Sequence, residues 1–401
     1  MSVLVVGGGI VGSATAYFLA RDGVEVTLVD KNDLAWGASG RNPGYVWTHT
    51  RAEGIQISFG KAGRALYDTL ADELDDFAFR AAGGMVYFFE EQADLFPGFV
   101  ESRRAAGLPM ELLGPDEARE RCPVLPEDVA GATFNPLDAH VDPAATVRAL
   151  ARGAERAGTT VRSGVDVTAL SVTGGRCDGV LTTEGPIAAD LVVVAAGVWS
   201  PGLVEPHGVP LPIVPMRLQM AETAPAELRF DQVLYGPTGL KQYALTKEIE
   251  GYDAEAFTHP LETVLPGTEL LELAAQRADG RILLGCPMDF PGFDDRPTTG
   301  GLGLMFGVLA DHLPALRDLP IERVWAGLLP QTEDALPILG PVGAVDGLWI
   351  AAGHVFGMLA GPLSGKLVAQ MIQDRVPDFD PEPFRHDRES VVGASAALRK
   401  W

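Results

Sequence analysis

"SVLVVGGGIVGSATAYFLARDGVEVTLVD" occupies Ser2 to Asp30. The run of Val and Leu reads as a buried strand, the three glycines as a turn, the next residues as a helix ending near Gly23, and "VEVTLVD" as a second strand. That order predicts two parallel strands joined by a right-handed crossover. Gly7, Gly9 and Gly12 have the G-x-G-x-x-G spacing, Ile10 and Val11 open the helix, and Asp30 closes the second strand eighteen residues after Gly12. The spacing alone is weak. With a strand before it, a helix after it and an acid at the end of the next strand, it has the context that a dinucleotide fingerprint requires. Gly7 permits the tight turn, Gly9 lets the backbone approach a pyrophosphate, and Gly12 lets helix and strand pack closely. The helix N-terminus offers N–H groups to phosphate, and Asp30 is placed to accept hydrogen bonds from a ribose.

The same character returns twice. "HVDPAATVRALARGAERAG", "TTVRSG" and "DLVVVAAG" resume it, and "GLWIAAG" with "GMLAGPLSGKLVAQMIQDR" closes it. Between these lie stretches of another kind, with "GGMVYFF" and "RILLGCPMDF" as strands and "GLGLMFGVLADHL" as a helix. We therefore expect one discontinuous nucleotide-binding domain (1–82, 140–214 and 326–376), a second domain from the insertions (83–139 and 215–325) and a polar surface tail (377–401). A helix is expected over roughly Gly60 to Phe77, with Leu66, Leu70 and Leu74 on one face, and a long ordered loop over Leu34 to Arg51. In "WAGLLPQTEDALPILG" an apolar stretch is expected to end at Gly327, pass through a polar loop and re-enter the core. The fingerprint does not separate NAD from FAD, but the late return of strand and glycine motifs favours FAD.

Composition narrows the class. The 401 residues are 47% hydrophobic and 21% charged, and the net charge is −23. Nucleic acid and anionic membranes are poor partners for such a chain. Cys122, Cys177 and Cys286 match no zinc or redox spacing, and the seven histidines suggest no metal site. No signal peptide or membrane span is evident, so a cytoplasmic setting is expected.

Taken in order, these motifs resemble the D-amino-acid oxidase-like family of FAD-dependent amine oxidoreductases. The resemblance covers nearly the whole chain and rests on "VDK", "WGASGRNPG", "HVDP", "VVVAAGVWSPGL", "LLGCPMDFPGFDDRPT", "WAGLLPQTEDALPILGP" and "AAGHVFGMLAGPLSG". It implies an α/β fold, with a discontinuous Rossmann-like FAD-binding domain and an α+β substrate domain holding a mixed or antiparallel sheet. It implies that Lys31, Ser39, Gly40, Arg41, Asn42, Ala196, Gly197 and Trp199 surround the cofactor, with the backbone at Val167 holding adenine. Gly327 and Leu329 would lie against the isoalloxazine ring. Gly353, His354, Val355, Phe356, Gly357 and Met358 would approach the flavin pyrimidine and ribityl chain.

Two departures matter. Sarcosine oxidases carry a flavin-bonded cysteine where this chain has Gly327, so non-covalent FAD is expected. Members resembling glycine oxidase have an arginine, which grips the substrate carboxylate, where this chain has Leu329. Arg51 and Lys241 are the candidate replacements, and His354, Tyr243 and His49 are further pocket candidates; Tyr45 and Trp47 are candidates to wall the flavin. The resemblance implies oxidation of the C–N bond of a small amine or amino acid, by hydride transfer to flavin N5, giving an imine, with O₂ or another acceptor taking the electrons. An NAD-dependent dehydrogenase, or a flavin-bearing subunit with little activity alone, are the alternatives. A homo- or hetero-oligomer is possible in each case.

Overall fold

The structure is a computed structural model that describes residues 1–392. The first strand, Ser2–Val6, lies in a six-stranded sheet. Its neighbours are Glu25–Asp30 and then Thr160–Ser163 on one side, and Leu191–Val194, Leu348–Ala352 and Ile338–Pro341 on the other. All pair in parallel except Ile338–Pro341. Val3 and Val5 face a core built with helices Ile10–Arg21, Ile55–Glu73, Pro143–Arg156 and Gly357–Ile372. Leu4 and Val6 face the opposite core, which a three-stranded antiparallel sheet from Val167 to Ala188 covers. Burial on both faces explains why the strand reads as a continuous apolar run.

The insertions supply most of an eight-stranded sheet. Its order is Ile321–Gln331, Val214–Thr223, Ile282–Asp289, Glu269–Gln276, Val233–Tyr235, Gly84–Phe88, Gly131–Asn135 and Glu111–Leu113. One pair, Val233–Tyr235 with Gly84–Phe88, is parallel; the rest are antiparallel. Helix Thr299–His312 packs on one face, and the other face turns toward the parallel sheet.

Four local readings change. The helix expected over roughly Gly60 to Phe77 starts at Ile55 and ends at Glu73, since Leu74 is already extended at its C-terminus (φ −109°, ψ 167°). Leu34 to Arg51 is not all loop: it holds a helical turn at Ala38–Arg41 and a two-residue strand at Tyr45–Val46. The strand expected to stop at Gly327 continues to Gln331. It passes through Pro330, which is tolerated because Ile321–Gln331 is the edge strand of its sheet; Pro215 stands opposite it. The tail is not simply surface. Phe384 is buried against Phe59, and Arg388 bonds Asp334 at 2.8 Å. The remainder of the expected tail lies outside the described residues. Among those described, no helix is long and apolar enough to cross a membrane, and no cluster of His, Cys, Asp or Glu is arranged to hold a metal.

Candidate active site

A cavity of about 600 Å³ runs between the two large sheets, along the C-terminal ends of the parallel strands. Crevices there are the usual ligand sites of open parallel sheets. At one end are Asp30, Lys31, Val167, Ala196, Gly197 and Trp199. The turn Gly7, Gly9, Ile10 and Val11 forms the middle, with Ser39 and Asn42 opposite. Gly353 to Met358 and the inner face of the mixed sheet form the far end.

The cradle is held by backbone-directed bonds. Gly7 has φ of +116°, a conformation that a side chain resists. The Ile10 N–H donates to Ser39 Oγ at 3.0 Å, which fixes the 34–42 loop against the helix start. A Cβ at Gly9 would stand 2.9 Å from that same Oγ. Asp30 accepts the N–H groups of Gly8 at 2.7 Å and Asn32 at 2.8 Å; burial raises its pKa and the two bonds oppose the rise. The Lys31 ammonium lies 4.1 Å from the centroid of Trp199. A glycine turn at a helix start, a strand-end acid and a long open channel past both fit an elongated dinucleotide.

Six expected site residues do not line the cavity: Gly12, Gly40, Arg41, Gly327, Lys241 and His49. A Cβ at Gly12 would collide with the Gly7 carbonyl, so this glycine serves helix–strand packing. Gly40 faces the Ala35 carbonyl in the same way. Arg41 turns outward to Asp295 at 2.6 Å and to the Ala326 carbonyl at 3.0 Å. Gly327 faces the Arg41 side chain, and the cavity wall is instead Leu328, Leu329 and Pro330. Lys241 pairs with Glu262 at 2.6 Å and stays outside.

The far end gathers the remaining candidates. Arg51 is 1% exposed, and its Nε and Nη1 have no hydrogen-bond partner among the described residues. Its guanidinium carbon is 3.1 Å from the Phe356 centroid and 5.6 Å from that of Tyr243. Arg103 donates to the Arg51 carbonyl at 2.7 Å and fixes its backbone. Burial lowers the Arg51 pKa, while Tyr243, Tyr235 and Asp138 oppose that. His354 is buried, its Nε2 is unpartnered, and burial pushes its pKa down to about 3. It is a neutral ring at physiological pH. His49 is not a pocket residue: it is fixed between Asp138 at 3.1 Å and Thr133 at 2.7 Å and stacked on Trp47. Tyr45 and Trp47 do line the cavity.

Sequence reasoning missed Tyr235, Leu271, Leu273, Cys286 and Met288, which complete an apolar wall. The stretch "ELLELAAQ" gives no polar alternation to mark it, because both faces of that strand are buried.

The family model described as FAD dependent oxidoreductase matches residues 2–371. A glycine oxidase of Pseudomonas aeruginosa is 28% identical over 390 residues, covering 95% of this chain and 97% of its own. A D-amino acid dehydrogenase 2 of Mesorhizobium japonicum is 27% identical, covering 95% and 99%. The crystal structure of glycine oxidase from Geobacillus kaustophilus superposes with a TM-score of 0.80 at 27% identity, covering 96% of this chain and 98% of that one.

Proposed function

The chain belongs to the FAD dependent oxidoreductase family, and we propose that it oxidises the C–N bond of an amino acid whose carboxylate is held by Arg51. It is an FAD-dependent amine or amino-acid oxidoreductase, and FAD as cofactor sets aside the NAD-dependent alternative. The observation that carries the finer reading is Arg51 itself. A guanidinium buried to 1% exposure with two nitrogens unpartnered is costly unless an anion meets it. Arg51 opens onto the cavity, and Leu329 offers no competing cation.

The chemistry that bound flavin supplies is acceptance of a hydride from the substrate α-carbon, with the electrons passed on to O₂ or another acceptor. Arg51 would fix the carboxylate and so orient the α C–H. Burial raises the Tyr235 pKa well above its ordinary range, so its hydroxyl is a donor and not a base. His354 is neutral and orients or packs. With Arg51 as the anchor, Tyr235 protonated and His354 neutral, the amine reacts unprotonated, and water hydrolyses the imine product.

The test is anaerobic bleaching of the flavin by amino acids and by their amides. Free acids should reduce the flavin much faster, and Arg51→Ala should erase that preference. Equal rates for acid and amide in the wild type would overturn the assignment.

A further inference from the structure

Glu272 is fully buried on the far face of the mixed sheet. Its neighbours Leu271 and Leu273 line the cavity, so strand alternation turns Glu272 away from it. Three elements converge on its carboxylate. His312, the last residue of helix Thr299–His312, stands 2.7 Å from Oε1, and the Tyr87 hydroxyl donates to the same oxygen. Thr238 donates to Oε2 through its hydroxyl at 2.9 Å and its N–H at 3.3 Å. The Gly236 N–H donates to the Glu272 carbonyl at 3.0 Å. A Cβ at Gly236 would fall on the Glu272 carboxylate, so the approach requires glycine. One residue thus anchors the start of the segment that continues through helix Pro237–Leu240 to Tyr243, beside Arg51.

We propose that Glu272 and His312 are a positioning pair that sets segment 236–243, and with it Tyr243, against Arg51, so that the grip on the substrate carboxylate follows the charge on His312. The proposal rests on the assignment of Arg51 as carboxylate anchor. Burial alone would lower the His312 pKa, but the Glu272 carboxylate, Asp311 and Glu262 outweigh it and the pKa is raised. Burial alone would raise Glu272, but His312, Tyr87 and Thr238 reverse that and it is lowered. The other groups around His312 are His259, with ring centroids 5.2 Å apart, and Phe89 at 5.0 Å. His259 itself pairs with Asp311 at 3.3 Å, and Glu262 with Lys241. The ion pair is intact below the raised His312 pKa and is lost as pH rises through it. Glu272 then keeps only neutral donors, which hold a carboxylate less strongly.

The test uses the FAD-loaded enzyme from neutral to alkaline pH. It reads hydrogen–deuterium exchange of the peptide covering 236–243, together with KM and kcat for an amino acid that reduces the flavin. In the wild type, exchange corrected for its intrinsic pH dependence and KM expressed on the unprotonated amine should rise together with pH, KM by roughly fivefold, with kcat changing less. His312→Gln should show the high-pH values throughout, and so should Glu272→Gln. Thr238→Ser should keep the wild-type profile and Thr238→Val should not. If Glu272→Gln fails to fold, the partly exposed His312 site carries the test. Wild-type pH profiles of exchange and KM in His312→Gln would overturn the proposal. If Arg51→Ala leaves KM unchanged, the carboxylate reading fails, while the exchange profile still judges the pair.

Discussion

The Lys241 ammonium lies 2.6 Å from the Glu262 carboxylate, so its charge is answered outside the cavity. Arg51 has no such partner and faces inward. We expect Arg51→Ala to lower kcat/KM for a free amino acid by about 10²-fold, the scale of a lost charge-assisted contact. Lys241→Ala should change it little. Steady-state kinetics of both variants check this, and the reverse ranking would sink it.

FAD is expected to be held without a covalent bond. Gly327 carries no nucleophile, and the Cys286 thiol, which lines the cavity, is pushed up to about 12 by burial and stays protonated. A thiol in that state is a poor nucleophile. Acid precipitation should leave the yellow colour in the supernatant; flavin kept in a washed pellet would refute this.

Gly9→Val should give a folded apoprotein. The new side chain would press on Ser39 Oγ, whose bond to Ile10 aligns the loop with the helix start, and would fill the phosphate path. The ratio of flavin to protein absorbance reads the loss. A variant that purifies with full flavin would mean the phosphate path lies elsewhere.

Arg388 clasps the loop that follows Gln331. It reaches both oxygens of Asp334, at 2.8 and 3.0 Å, and the carbonyls of Leu336 and Pro337. Burial alone would raise the Asp334 pKa, but Arg388 and Ser390 reverse this and it is lowered. Its contribution to stability is therefore full above the ordinary carboxylate pKa and is lost as pH falls through the depressed value. Arg388→Ala should destabilise the protein by about 1–3 kcal/mol at neutral pH and by less in acid. Thermal melts at both pH values check the sign; an equal loss at low pH would contradict the pairing.

What the sequence disclosed follows from where the chemistry is local. The Gly7–Gly12 turn, Asp30 and the flanking strands act through backbone and near neighbours, so their spacing was legible once read with the strand before it, the helix after it and the acid that follows. Gly353 to Met358 were legible by resemblance, and all of them line the cavity. Arg41 was expected at the flavin but answers Asp295, a partner in the loop between strand Ile282–Asp289 and helix Thr299–His312 that no spacing announces. Lys241 was misjudged for the same reason, its partner Glu262 lying in a separate short helix. The apolar wall was hidden because both faces of the strands carrying Leu271, Leu273 and Cys286 are buried, which removes the polar alternation.

That wall sets the last expectation. Beyond Arg51, the far end of the cavity is bounded by Leu271, Leu273, Cys286, Met288, Leu328 and Leu329. The Tyr45 hydroxyl is turned away, donating to the carbonyls of Leu234 at 2.9 Å and Ala274 at 2.7 Å. A substrate side chain placed there meets carbon and sulfur, and these six side chains carry no charge to welcome a polar one. Burying a leucine-sized side chain contributes about 1.5–3 kcal/mol, which glycine cannot draw on. If that gain is realised at the transition state, kcat/KM for an amino acid with a bulky apolar side chain should exceed that for glycine by roughly 10- to 100-fold. Sarcosine should be poor on the same ground. The measurement is a series from glycine through alanine, valine, leucine and phenylalanine in both enantiomers, repeated with aspartate and lysine. Leu273→Ala should lower the value for leucine and leave glycine nearly unchanged. Glycine as the best substrate, or an aspartate that rivals leucine, would show that the side chain does not lie on this wall.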